Sequence, residues 1–315
     1  MTSSFRSTLL GDLDVDLEHD VQIGAMTHYG IGGGADVLVR PRSADALSLL
    51  LKRCHNDKIP CRILGKGANL LIDDLGVDGI VIKLDHPCFT TIRFTNEDSA
   101  DVLHAMAGAD LAKVVMETVR LGLSGLTAMA GIPATVGGAI RMNAGGLHGC
   151  ISDSLSTVTC ISSRGELRTY NKNELTFNYR SCRIAEPLIL SASFDLQKSN
   201  PIKLREEVKE NFAWKKSRQP LAEPSAGCVF KNPMGENGER ISAGKLIDES
   251  GLKGTTIGGA SVSKHHANFI TTAKEATSSD VIALIQTIKD RVLEDTGIIL
   301  KEEVVIWSRN PEVQR

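Results

Sequence analysis

Aromatic side chains are scarce in this chain, 4% of 315 residues, while glycine is abundant at 29. That imbalance argues against a surface that stacks bases on rings. It argues for many tight backbone approaches, of the kind that surround a phosphate-bearing cofactor. Charge of one sign is also lacking. The net charge is −2, so there is no electrostatic footprint for nucleic acid, and no basic block is dense enough for a membrane surface. No CxxC pair occurs. The seven cysteines (Cys54, Cys61, Cys88, Cys150, Cys160, Cys182 and Cys228) are odd in number and irregular in spacing. This argues against a zinc site or disulfide framework and for reduced cytoplasmic thiols. The opening stretch MTSSFRSTLLGDLDVD has no apolar core long enough for a signal peptide. The uncharged run 121–140 holds five glycines and a proline, so it reads as a glycine-rich binding loop and not as a membrane span. Internal repeats and low-complexity tracts are absent.

What is present is a mixture of helix and strand. Ser43 caps a predicted helix over 43–57, with Leu47, Leu50, Leu51 and Cys54 on one face. Asp110 caps a second, with Leu111, Val114, Val115, Thr118 and Val119 as its stripe and Gly122 as its stop. A charged helix is expected over 202–216 and a short one over 243–250. The clearest helix, 279–295, is lined by Val281, Ile282, Leu284, Ile285, Ile288 and Val292 and stopped by Gly297. Strands are expected at 36–40, 62–64, 70–72, 79–84, 102–106, 155–161, 167–170, 188–196, near Val262, at 268–271 and at 298–307. The elements do not alternate as regular βαβ units, so the class is α+β. Residues 1–20 read as a polar leader, and 197–200 as a polar break.

Several segments carry chemistry. Gly30 to Ala35 formally match the GxGxxG/A dinucleotide fingerprint. A true fingerprint follows a strand and opens a helix. Here a strand and Pro41 follow, so the segment reads as a turn passing close to a ligand or another strand. LGKGANLL at 64–71 sits between strands, and its glycines let successive N–H groups converge on an anion; the alternative is a plain β-turn. GIPATVGGAIRMNAGG at 131–146 is a second such stretch. PSAGCVFKNP at 224–233 is bracketed by prolines, with Gly227 free to turn. It holds a thiol (Cys228), an ammonium (Lys231) and a carboxamide (Asn232), which can set a proton donor beside anion-holding groups. In Glu302-Glu303 the side chains alternate, so only one of the two carboxylates enters a site. His265 and His266 diverge on any regular element and lack a nearby carboxylate or thiol, so no metal is expected.

Taken in order, these segments resemble the UDP-N-acetylenolpyruvoylglucosamine reductase family. That family carries T-x-x-x-I-G-G, LGxGSNLL, GIPGTVGGAxxMNAG, FxYRxS, GSxFKNP and LxxEV. Here they correspond to Thr27–Gly33, 64–71, 131–146, FNYRSC at 177–182, the Cys228 loop and LKEEV at 300–304, joined by SKHHANF at 263–269. The resemblance runs from about Thr27 to Ile306. This chain departs from the pattern at Ala68, Cys182 and Cys228, each in place of serine, at Ala134 in place of glycine, and at Ile184 where an aromatic is frequent. Ala68 removes one donor to a phosphate.

The resemblance implies an FAD-binding fold of the p-cresol methylhydroxylase type, built of two α+β lobes over 21–85 and 86–200. It adds an α+β substrate-binding domain over 201–297 and a C-terminal strand, 298–315, returning toward the FAD region. It implies the compact subtype, without a tyrosine-bearing loop insertion. FAD contacts fall on Gly65, Lys66, Gly67, Ala68, Asn69, Leu70, Gly131, Ile132, Pro133, Thr135, Gly137, Gly138 and Asn143. NADPH is the reductant and UDP-N-acetylglucosamine enolpyruvate the substrate. Arg180, Cys228 and Glu303 are catalytic, Glu303 being the glutamate that directly precedes valine. Tyr179, Gln219, Lys231, Asn232, His266 and Asn268 bind substrate. A cytoplasmic monomer with a small-molecule partner, and neither nucleic acid nor membrane, is expected. Two other readings stay open: a different FAD oxidoreductase of the same fold, and a non-catalytic flavin or UDP-sugar-binding protein in which Cys228 marks lost chemistry.

Overall fold

The Ser43 hydroxyl accepts from the Ala46 N–H, so the first long helix, α1 (Ala44–Asn56), starts at its expected cap. It buries Leu47, Leu50, Leu51 and Cys54. Helix α2 (Leu111–Arg120) begins the same way, with Asp110 accepting from the Ala112 and Lys113 N–H groups, and Gly122 leaves it at φ +70°. The computed structural model describes residues 10–97, 100–310 and 313. The chain divides into two compact units, Met1–His19, Asp36–Lys66 and Gly79–Trp214 forming one, Asp20–Ala35, Gly67–Asp78 and Lys215–Arg315 the other.

The first unit is built on two sheets. One runs Val15–Val21, Ala35–Pro41, Val77–Ile82, Cys61–Ile63, its last two strands parallel. The other is antiparallel in the order Leu167–Asn171, Leu155–Ile161, Leu188–Lys198, Ala100–Met106, Ile92–Glu97, with Leu123–Ser124 paired beside Leu188–Lys198. Val37, Val39, Leu50, Ile80, Leu103 and Val158 are fully buried in a single core. A short helix, α3 (Val136–Arg141), interrupts the stretch read as a loop. The charged helix α4 (Pro201–Arg218) replaces the expected 202–216.

The leader reading of 1–20 needs correction from Val15 onward, while residues 1–9 lie outside the described residues. Val15–Val21 is a strand whose five middle residues are all exposed, so no apolar period announced it. Ion pairs hold it in place of burial: Arg40 with Glu18, Arg42 with Asp16, and Arg53 with Asp12 just before it. Charge on an edge strand also discourages further pairing.

The second unit packs α5 (Ala243–Glu249) and α6 (Ser278–Thr296) around Leu71, Phe230, Ile247, Ile285, Ile288 and Ile306. Thr277 and Asp280 cap α6 reciprocally and Gly297 ends it at φ +71°. An antiparallel sheet joins Thr256–Ile257, Ala260–Val262 and Ile270–Thr272. The expected strand 298–307 shrinks to Val305–Trp307, which pairs in parallel with Leu70–Ile72. The fingerprint-like glycines serve close backbone approach. Gly32 sits at φ +102°, and a Cβ there would lie 2.0 Å from the Ile72 carbonyl oxygen. No helix among the described residues is long and apolar enough to cross a membrane.

Candidate active site

In the first unit, Gly65 and Lys66 follow the strand Cys61–Ile63, and Thr135 caps α3 by accepting from the Gly138 N–H. Both segments line one cavity of about 1160 Å³. A Cβ on Gly65 would come within 3.0 Å of Thr135 Oγ1, so this glycine keeps the space beside the cap open. Gly137 and Gly138 also line the cavity; Gly131, Ile132, Pro133 and Asn143 do not. Lys83, Asp110, Lys113 and Arg141 line it too, and sequence reasoning missed all of these as site residues, seeing Asp110 only as a cap. Lys66 pairs with Asp110. Burial opposes the charge on Asp110, but Lys66 and the helix N–H groups outweigh it and hold the carboxyl below its usual range. Burial pushes the Lys83 ammonium down.

Asn143 lies just past α3 at φ +41° and is buried. Its Nδ2 donates to the Asn178 carbonyl at 3.0 Å, and its Oδ1 meets no partner. A buried orphan acceptor costs stability until a donor reaches it.

Arg180 sits in a two-residue turn, Tyr179-Arg180, between the paired strands Thr176–Asn178 and Ser181–Arg183. Its φ is +54°, and its guanidinium carbon lies 5.0 Å from the centre of the Tyr179 ring. A side chain in the left-handed region is strained, and such strain persists where the surroundings over-determine it.

In the second unit, Gly67 turns at φ +66°; a Cβ there would lie 2.7 Å from Thr27 Cα. The Ala68 carbonyl stands 3.9 Å from the Cβ position of Gly227. Asn69 Nδ2 donates to the Glu303 carbonyl at 2.9 Å, and Asn69 O accepts from the Val305 N–H. The Glu303 N–H donates to Val229 O at 2.7 Å, and Phe230 bridges Glu302. The Cys228 loop, the Glu303 segment and the Asn69 turn are therefore stitched together through their backbones. Cys228 is half-buried, between buried Ala226 and Val229.

Asn268 is buried and spends its amide on Phe230, accepting from its N–H at 2.9 Å and donating to its carbonyl at 2.8 Å. Asn232 Oδ1 accepts from the Ala243 N–H and so seats the start of α5. The Lys231 N–H donates to Lys301 O. His266 packs edge-on against Phe269, and burial lowers its pKa. The His265 ring reaches the Ser217 carbonyl instead, so the two rings diverge. Gln219 follows α4, its N–H on Lys215 O.

Residues 219–307 match the family described as the C-terminal domain of UDP-N-acetylenolpyruvoylglucosamine reductase, and 35–171 match an FAD binding domain. The chain is similar to the UDP-N-acetylenolpyruvoylglucosamine reductase of Prochlorococcus marinus, 34% identical over 92% of this chain and 97% of that protein. It is similar to that of Listeria monocytogenes serovar 1/2a, 39% identical over 89% of this chain and 91% of the other. Among solved structures, the UDP-N-acetylenolpyruvylglucosamine reductase of Thermus caldophilus superposes with a TM-score of 0.77 at 33% identity, covering 93% of this chain and 99% of that one.

Proposed function

The chain belongs to the UDP-N-acetylenolpyruvoylglucosamine reductase family, and we propose that Cys228 is the proton donor of the reduction it performs. It is an FAD-dependent oxidoreductase of peptidoglycan precursor synthesis that uses NADPH to reduce UDP-N-acetylglucosamine enolpyruvate to UDP-N-acetylmuramate. The observation that carries the assignment of Cys228 is the 2.7 Å hydrogen bond from the Glu303 N–H to Val229 O. It ties the thiol-bearing loop to the segment holding the second candidate acid.

The residues present fit FAD. A cavity of about 1160 Å³ is lined by Lys66, Lys83 and Lys113 and opened by Gly65. Gly65, Lys66, Thr135, Gly137 and Gly138, which line the cavity, would hold it. When bound, FAD supplies hydride, taken from NADPH, to C3 of the enol ether. Negative charge then develops on C2 and its carboxylate. Arg180 presents a planar fork to that carboxylate, and Glu303, protonated or as an orienting partner, steadies the enolate-like species. Cys228 gives its proton to C2, closing the D-lactyl ether and leaving a thiolate that solvent reprotonates. Tyr179, Gln219, Lys231 and His266 contact substrate. Asn232 and Asn268, whose carboxamides are engaged with backbone, contribute by holding the loop.

Residues 21–85 and 86–200 serve as FAD lobes and 201–297 as the substrate domain, with 298–315 carrying Glu303. The protein acts as a cytoplasmic monomer on its small-molecule substrate, without nucleic-acid or membrane partners. The test is anaerobic. The flavin is reduced with NADPH, UDP-N-acetylglucosamine enolpyruvate is added, and absorbance is followed. Reoxidation with formation of the lactyl product is the expected result. A flavin that stays reduced with substrate bound would support the non-catalytic reading and sink this one.

A further inference from the structure

The hairpin that carries Arg180 is a two-stranded ribbon of Thr176–Asn178 and Ser181–Arg183, and no third strand among the described residues joins it. Such a ribbon is marginal by itself, yet it holds Arg180 at φ +54°. Something outside the hairpin must fix it. Two side chains from the end of α3 do so. Asn143 Nδ2 donates to the carbonyl of Asn178, on the arm entering the turn. Arg141, the last residue of α3, donates from Nη1 to the Ile184 carbonyl at 3.0 Å and from Nη2 to the Glu186 carbonyl at 2.7 Å, past the arm leaving it. The post it grips is buried: Glu186 is 4% exposed and its carboxylate accepts from the Tyr170 hydroxyl at 2.6 Å. Arg141 also lines the cavity assigned to FAD.

We propose that Arg141 is a positioning residue, a fork at the end of the cavity helix that clamps the outgoing arm of the Arg180 hairpin and registers that turn on the cofactor cavity. The chemistry explains the residue type. A guanidinium reaches two carbonyls with a planar fork of donors fixed in place, where a lysine ammonium offers rotatable donors from a single atom. The proposal rests on the reading of Arg180 as catalytic for its effect on turnover, but the clamp itself is independent of that reading.

The test compares full-length, FAD-loaded wild type with Arg141→Met and Arg141→Lys. In Arg141→Met, amide hydrogen exchange over 176–183 is expected to quicken about 10-fold or more, with Leu155–Ile161 and Ser278–Thr296 unchanged. Reoxidation of the reduced flavin by the enolpyruvyl substrate slows about 100-fold, the cost of misplacing a reacting group by about 1 Å. Arg141→Lys falls between. Unchanged hairpin exchange in Arg141→Met would overturn the proposal, as would loss of flavin with the hairpin undisturbed, which would put Arg141 on the cofactor. General loosening of the distant strands and helices would reassign it to folding and overturn it too. Should Arg141→Met not fold, Arg141→Lys carries the same exchange measurement. A wild type whose flavin is not reoxidised by substrate counts against the reductase reading alone, and the exchange result still decides the clamp.

Discussion

Lys289 Nζ lies 2.9 Å from Glu302 Oε1, so the first of two adjacent glutamates is claimed by helix α6. Lys289 thus answers the charge on Glu302, and the two adjacent glutamates are expected to play different parts. The pair should separate cleanly on mutation. Glu303→Gln is expected to keep its fold and lose about 100-fold or more in turnover, the scale of removing one group that steadies developing charge. Glu302→Gln should retain turnover and lose about 1 kcal/mol of stability, the upper end for a pair that still sees solvent. Turnover with each variant, set beside urea unfolding, checks both halves, and equal turnover losses would remove Glu303 from the site.

Cys228 should make the enzyme sensitive to alkali. A proton donor works only while protonated, so the rate falls as pH rises through the ionisation of the thiol, ordinarily at about 8.5. A serine hydroxyl does not ionise in that range. Cys228→Ser is expected to keep turnover with the alkaline limb shifted up, and Cys228→Ala to slow flavin reoxidation by about 100-fold or more with flavin reduction intact. Thiol alkylation should mimic the alanine variant. The same alkaline limb in the serine variant would sink the assignment.

His266 gives a stability effect of known sign. Burial lowers its pKa from 6.5, so the unfolded chain takes up a proton at a higher pH than the folded one. Folding therefore gains stability from neutral His266 above about pH 6.5 and loses it as pH falls from there toward the depressed folded value. Urea unfolding of wild type against His266→Phe, from about pH 8 to 5, should show the difference shrinking at the acid end. A difference flat across that window would contradict it.

What the sequence revealed, and what it hid, follows from which physical signals are local. Ser43, Asp110 and Gly297 marked helix ends because caps act within one turn. Strand alternation allowed only one of Glu302 and Glu303 a place in a site, and the family resemblance, in which the glutamate directly precedes valine, selected Glu303. Helix α3 went unread because Gly137 and Gly138 mask it, and only the Thr135 hydroxyl on the Gly138 N–H betrays its start. The Arg180 hairpin carries Tyr-Arg in its turn where Asn-Gly would have announced one. The roles of Asn69 and Asn268 were invisible in kind. One bonds a carbonyl 234 residues away and the other a backbone group 38 residues away. The expected strand 298–307 was too long because the Glu303 N–H is drawn to Val229 O and not to a continuous ladder.

The turn at Arg180 stores strain that a mutation can read. With φ at +54°, any residue with a Cβ pays for the left-handed region, about 1 kcal/mol or more. Arg180→Gly and Arg180→Ala both remove the guanidinium and should both lose turnover. Glycine alone relieves the backbone. The glycine variant is expected to be more stable than the alanine variant by about 1 kcal/mol, read by urea unfolding at matched slopes. Equal stabilities would mean that the turn relaxes once the arginine is gone.

Gly65 tests the cavity without touching the proton chemistry. Its backbone φ is ordinary, so alanine is tolerated conformationally, and the new methyl would meet Thr135 Oγ1 at 3.0 Å. That contact is tighter than relaxed packing, and easing it pushes the cap of α3 or narrows the space FAD needs. Gly65→Ala is therefore expected to fold with near wild-type stability while its FAD affinity drops about 10-fold or more, equivalent to about 1.4 kcal/mol. Flavin retained per chain after gel filtration and titration of the stripped protein with FAD would measure it. Unaltered FAD affinity would show that the cofactor does not pass beside Gly65 and Thr135, and the cavity would need another occupant.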